Sequence, residues 1–361
     1  MKLSSLFILF SVLTLTTNAQ SLKVSATAST SGNATSEFTV GGENVRVNNS
    51  GLIFGNRQVL AASAALSANG LAVTVSSGVN IYDGGEKISG VGYEQKGDDS
   101  SLKIYAAGDG TYIIRENIAN FLIFDTFGKI KRSVSNSSQS EEGESVSGLA
   151  ADPRFKTVVL YNPKIIRNGV AGSRMKLVED NGGASDFYTS SNRVIRTVKI
   201  SENGQFVAAV TYRDGTDDSV IIFDRFGNRL NKVSFDREIK GIQLSDDGRY
   251  LTLYSDGRAA AYSVMNGERL GSTSVRGSLI WFAEYISRDE TIVLLAGDMK
   301  NNVLTNVEFK AVNLDARKIA SADYSRSLGI TDMIPLSLDR KGKFNYTLSG
   351  LSQSLDIRAS F

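Results

Sequence analysis

Three aspartates crowd into Arg213-Asp-Gly-Thr-Asp-Asp218, at Asp214, Asp217 and Asp218. Clustered carboxylates supply the oxygen ligands that calcium takes. The spacing is not that of an EF-hand, and a solvated hairpin loop is the competing reading. A second group is cationic. Arg196 and Lys240 stand at equivalent places in two internal repeats, and Phe282 aligns with them in a third, with Trp281 one residue earlier. Two cations beside an aromatic pair could receive an anionic or aromatic ligand. Alternatively, the cations pair with Glu238 and Glu284 while Trp281 packs inside the fold. A third group, Lys164 and Arg167, lies in the basic stretch Asn162–Arg174.

The chemistry left to this chain is narrow. It has no histidine and no cysteine. That excludes the Ser-His-Asp triad, thiol nucleophiles, disulfides and the zinc sites built on His or Cys. Catalysis would need carboxylates, Lys or Tyr. A glycosidase or lyase working through a carboxylate pair is therefore the enzymatic alternative, although a single tryptophan is a poor supply of sugar-stacking surface. The catalytic residues of such an enzyme are not readable from the spacing. A net charge of +2 with no dense basic run argues against nucleic acid.

The elements that would position these residues are short β runs separated by glycine, asparagine and aspartate. A turn signature recurs seven times: Ser67-Ala-Asn-Gly70, Gly108-Asp-Gly-Thr-Tyr112, Ala151-Asp-Pro-Arg-Phe155, Ser201-Glu-Asn-Gly-Gln-Phe206, Ser245-Asp-Asp-Gly-Arg-Tyr250, Ser287-Arg-Asp-Glu-Thr291 and Asp339-Arg-Lys-Gly-Lys-Phe344. The spacing is that of a four-stranded propeller blade, roughly 40–50 residues. A second signature, Phe124-Asp-Thr-Phe-Gly128 and Phe223-Asp-Arg-Phe-Gly227, joins the third and fourth strands of a repeat. Asp and Gly there build tight turns. On this count the fold is all-β, a seven-bladed propeller of antiparallel blades spanning residues 45–361. The last repeat lacks a strand, and an N-terminal strand, expected at Val45–Phe54, closes the ring beside Ser354–Phe361.

In period, strand order and turn chemistry the chain resembles the seven-bladed β-propellers of the WD40-like and bacterial YVTN-like type. It departs from them in lacking Gly-His and Trp-Asp dipeptides. The resemblance implies that inner strands line a central channel. The signature turns then lie on one face, with the irregular loops on the other, where ligands usually sit.

The first nineteen residues read as a secretory signal: Met1-Lys2, an apolar run within Leu3–Leu15, and a small-x-small site at Thr17–Ala19. Residues 20–44 are Ser-, Thr- and Gly-rich and read as a linker. The terminal alternation Leu355, Ile357, Ala359, Phe361 opens a rival fold, an outer-membrane β-barrel. The expectation is an exported, monomeric binding or protein-interaction module of a bacterial envelope, periplasmic or secreted. It has no transmembrane helix, and its partner is a protein or an anionic small molecule or polymer. No cofactor is expected beyond the candidate calcium.

Overall fold

The computed structural model describes residues 20–361, apart from 27–36, 41–42, 49–50, 55–56, 61–62, 67–71, 76–77, 84, 95–101, 108, 138–142, 180–182, 214–217, 276–278 and 331–335. The signal segment and the turn at Ser67–Gly70 lie outside the described residues. The chain is a β-propeller, and its strands form separate sheets of antiparallel neighbours rather than one closed barrel.

Eight such sheets are present among the described residues. Blade 1 runs from Glu37 to Leu60, blade 2 from Ser63 to Gly92, blade 3 from Lys103 to Ser135 and blade 4 from Gly148 to Ser190. Blade 5 covers Val194–Ser234, blade 6 Gly241–Ser274 and blade 7 Leu279–Tyr324. Blade 8 takes three strands from Ser337–Ser360 and its fourth from Ser21–Ala26. Closure by an N-terminal strand therefore holds, with two corrections to the expectation.

The closing strand is Ser21–Ala26, paired antiparallel with Leu355–Ser360 from Ser21↔Ser360 to Ala26↔Leu355. Val45–Phe54 instead supplies strands to blade 1, which raises the count from seven to eight. The linker reading of residues 20–44 gives way as well, since that stretch carries the closing strand and the start of blade 1. Polar composition hid an alternation: Leu22 is buried and Val24 packs beside it, with Lys23 between them and Ser21 and Ser25 on either side. The hairpins of blade 1 carry neither turn signature, so counting signatures gives seven repeats.

The cores lie between blades. Apolar side chains of consecutive sheets form separate clusters, for example Ala208, Val220 and Ile222 of blade 5 with Leu251, Leu253 and Ala260 of blade 6. Sheet-on-sheet packing of this kind buries both faces of a strand, which is why middle strands such as Phe206–Tyr212 and Ser219–Asp224 read as nearly continuous apolar runs. Leu22 and Val24 join the cluster between blades 7 and 8.

Both turn signatures have structural causes. Asp224 accepts hydrogen bonds from the amides of Phe226 and Asn228, both at 2.9 Å. Asp125 does the same for Phe127 and Lys129. Each turn ends in a bulge, with the register shifting at Ile123/Phe124 and Ile222/Phe223. Gly227 adopts φ +84°, and a Cβ there would meet Phe187 of blade 4 at 2.5 Å. Glycine is thus required twice over. In the first signature, Ser201 Oγ accepts from the Gln205 and Phe206 amides.

Asp289, in the first turn of blade 7, clasps blade 8. Arg340 donates from Nε to Oδ2 at 3.0 Å and from Nη2 to Oδ1 at 2.8 Å, and the Phe344 amide donates a third bond at 3.1 Å. Burial alone would raise its pKa. The bonds from Arg340 and Phe344, with the charge of Arg340, outweigh that and hold the carboxyl below the ordinary aspartate value. The stabilisation is therefore complete above the unfolded pKa of about 4 and is lost as pH falls through the lower folded value. Asp289→Asn should lower Tm at pH 7, and the gap from wild type should narrow on acidification. Tm curves of the two proteins that stay parallel from pH 7 to pH 3 would refute this.

Candidate functional site

The irregular face has its candidate residues engaged. Arg196 is the extra residue of a bulge between Ile195 and Thr197 in the inner strand of blade 5. Its Nη1 lies 3.1 Å from Asp218 Oδ2 and 2.8 Å from Glu238 Oε1, and it donates to the Ile239 carbonyl at 2.8 Å. The guanidinium also stacks over Tyr212, 4.6 Å from the ring centre. Lys240 reaches the other oxygen of Glu238 at 2.9 Å. The hydrogen bond from Lys240, with the charge of Arg196 behind it, holds the Glu238 carboxyl below its ordinary value. The repeat alignment thus brings Arg196 and Lys240 together, on a shared carboxylate.

Trp281 is not joined to that pair by any described contact. It is the bulged residue of blade 7, its Nε1 donates to the Gly297 carbonyl at 2.9 Å, and its ring packs against the core between blades 7 and 8. Phe282 is buried in that same core. Lys164 and Arg167 are exposed, but the stretch Asn162–Arg174 is no loop. It is a β-hairpin extending blade 4, turned at Asn168-Gly169 with both φ positive. Blade 7 carries a similar extension, turned at Asn301-Asn302. Backbone bonds from Ser145 to Lys164 and from Ile330 to Asn302 tie the neighbouring connections to these hairpins.

Asp214 and Asp217 lie outside the described residues. Asp218 is buried and accepts the Ile239 amide at 2.6 Å on the oxygen that faces Arg196. Its Oδ1 is buried with no hydrogen-bond partner among the described residues. Among those residues no group of three acids could hold a metal ion.

The opposite mouth of the channel, on the turn face, gathers acids, although Lys341 pairs with Asp339 at 3.6 Å and Arg154 acts on Glu202. Four carboxyls from four successive blades act on one another there: Glu202 and Asp246 from the first turns of blades 5 and 6, Glu284 from the inner strand of blade 7, and Asp339 from that of blade 8. Glu202 lies within electrostatic reach of Asp246; burial first, then the charge of Asp246, raises its pKa. Glu284 is 5% exposed and makes no hydrogen bond or ion pair with any described residue. Burial, reinforced by Asp246, Glu202 and Asp339, pushes its carboxyl well above the ordinary value.

Nothing in the packing rewards this arrangement. A buried carboxyl without a partner is costly, and like charges around it add to the cost. Inner-strand Lys199 of blade 5 keeps accessible surface while protein surrounds it, as a channel-lining side chain does, and this enclosure lowers its pKa.

Sequence reasoning read these turns as scaffold only. A faint signal was present: an acid directly follows the serine in two consecutive signatures, at Glu202 and Asp246. Glu284, an ionisable residue inside the apolar inner strand Leu279–Ile286, was a second.

No family model matches the chain, and no curated protein does. Among solved structures the chain resembles one titled "Crystal structure of the eukaryotic initiation factor", with a TM-score of 0.51 and 9% identity. The match covers 73% of this chain and 66% of that one, just under two thirds of its length. At this identity the likeness speaks for the fold alone.

Proposed function

We propose that the protein is an exported binding module of a bacterial envelope, and that its recognition centre is the acidic channel mouth. The secretory character of the first nineteen residues supports export, and no helix among the described residues is long and apolar enough to cross a membrane. One observation carries the choice of site: Glu284 is buried, unpartnered and ringed by three further acids. A ligand that brings positive charge repairs that deficit, and a channel mouth focuses the field that attracts it. The partner is therefore cationic, such as a lysine- or arginine-bearing segment. Arg196 and Lys240, which suggested an anionic partner, already have carboxylates of their own.

Titration of the protein with a short oligolysine peptide tests this. Saturable binding that weakens with salt is expected. It should weaken tenfold or more in Glu202→Gln/Asp246→Asn. Glu284→Gln should also bind less well, yet melt higher at neutral pH. A raised folded pKa favours the fold below the unfolded value, and that advantage is lost as pH rises through the folded value. Binding that all three substitutions leave untouched would sink the proposal.

A second reading draws on the same acids. Glu202 and Asp246 neighbour Glu284, whose pKa burial raises, and carboxyls in such different environments suit acid–base catalysis on a glycoside or uronide. Turnover of a polysaccharide panel that Glu284→Gln abolishes would select it over simple binding.

A further inference from the structure

A cleft of about 130 Å³ opens on the turn face between blades 3 and 4. Its walls carry four cations: Lys131 and Arg132 from the outer strand of blade 3, and Arg154 and Lys156 from the first turn of blade 4. One acid, Asp109, shares it. That carboxylate accepts the Thr111 amide at 2.9 Å and the Thr111 hydroxyl at 2.6 Å. Burial would raise its pKa, but these bonds and the charge of Lys131 lower it. Arg132 is held in place, its Nη1 donating to the Glu179 carbonyl at 2.6 Å. Lys131, Arg154 and Lys156 make no ion pair within 4 Å among the described residues.

We infer that this cleft is a subsite for a tetrahedral oxyanion, a phosphate or sulfate group. The proposal rests on the binding-module reading, though not on the acidic mouth. Crowded cations repel one another and gain from a shared multivalent anion, and Arg and Lys are the side chains that bind one through charge-assisted hydrogen bonds. The volume fits: a cavity of about 150 Å³ admits a six-carbon ring, so this one takes an anion of five heavy atoms. Any larger substituent on the anion must project into solvent. Apolar Ile123, Phe124, Val158 and Val178 complete the lining. Arg154 also acts on Glu202, so the cleft adjoins the acidic mouth. A ligand of both charges could span the two.

Calorimetric titration with inorganic phosphate, at constant ionic strength and against a chloride blank, tests the cleft. Saturable binding is expected in wild type. It should fall tenfold or more in Lys131→Gln/Lys156→Gln and persist in Lys240→Gln, a charge change elsewhere. Phenyl phosphate in a parallel titration separates the sources: tighter binding than phosphate points to the head of a larger ligand, and weaker binding to the free anion. Either outcome supports the subsite. Absent saturation, or equal binding by the double variant with its Tm unchanged, overturns it. Oligolysine binding followed in the same variants keeps the two sites apart. Phosphate binding without oligolysine binding removes the mouth and leaves the cleft, and the converse removes only the cleft.

Discussion

Phe223→Ala is expected to destabilise the protein by about 3–5 kcal/mol, the cost of emptying a buried aromatic site. Phe223 is 2% exposed at the end of the third strand of blade 5. Its ring meets Phe187 edge-on at 5.1 Å and Tyr188 at 5.9 Å, both from blade 4. Those contacts cross the space between two sheets, so the cavity would loosen blade-to-blade packing rather than one hairpin. The second signature turn fixes the residue: Asp224 closes the turn and Gly227 makes room for Phe187. Urea unfolding of the variant should show a lower midpoint with an unchanged slope. A loss below about 1 kcal/mol would mean that the site collapses fully or that the side chain does not bridge the blades.

The second large effect belongs to the closing strand. A chain truncated to begin at Glu37 lacks the whole ladder from Ser21 to Ala26, leaving Leu355–Ser360 as an unpaired edge. It is expected to aggregate, or to melt far below the full chain. A gentler variant separates edge exposure from loss of packing. Leu22→Ala keeps the backbone ladder and empties one position in the core of blades 7 and 8, at a cost of about 2–5 kcal/mol. Adding a peptide spanning residues 20–26 to the truncated chain should restore solubility, since the edge accepts an extended strand in trans. Equal melting of truncated and full chains would refute the closing role.

What could be read in advance followed from local chemistry. The signature turns are legible because each is built by its own residues, and the phenylalanine before each second turn could be placed between blades on that basis. Blade 1 escaped notice because Glu37–Leu60 turns without those residues. The closing strand escaped because Leu22 and Val24 are two apolar residues in a serine-rich stretch. The acidic mouth is a different case. Glu202, Asp246, Glu284 and Asp339 lie in four separate blades, and only the closing of the ring brings their charges together. The same geometry explains why Arg196 and Lys240 were correctly set side by side, while the choice between ligand and Glu238 was left open.

The pairing of Ser21–Ala26 with Leu355–Ser360 also sets an order of events. Nearly the whole chain separates these partners, so the ring cannot be completed until the last residues are available. Blades 1 to 7 can each form from contiguous strands, but the final step must gather two distant ends, and contacts this far apart in sequence slow folding. Until then Leu355 and Ile357, buried in the finished ring, stay accessible on an open edge. The closing strand, made long before its partner, is thus among the last to find its place, and during that interval the protein depends on whatever keeps unfinished chains apart.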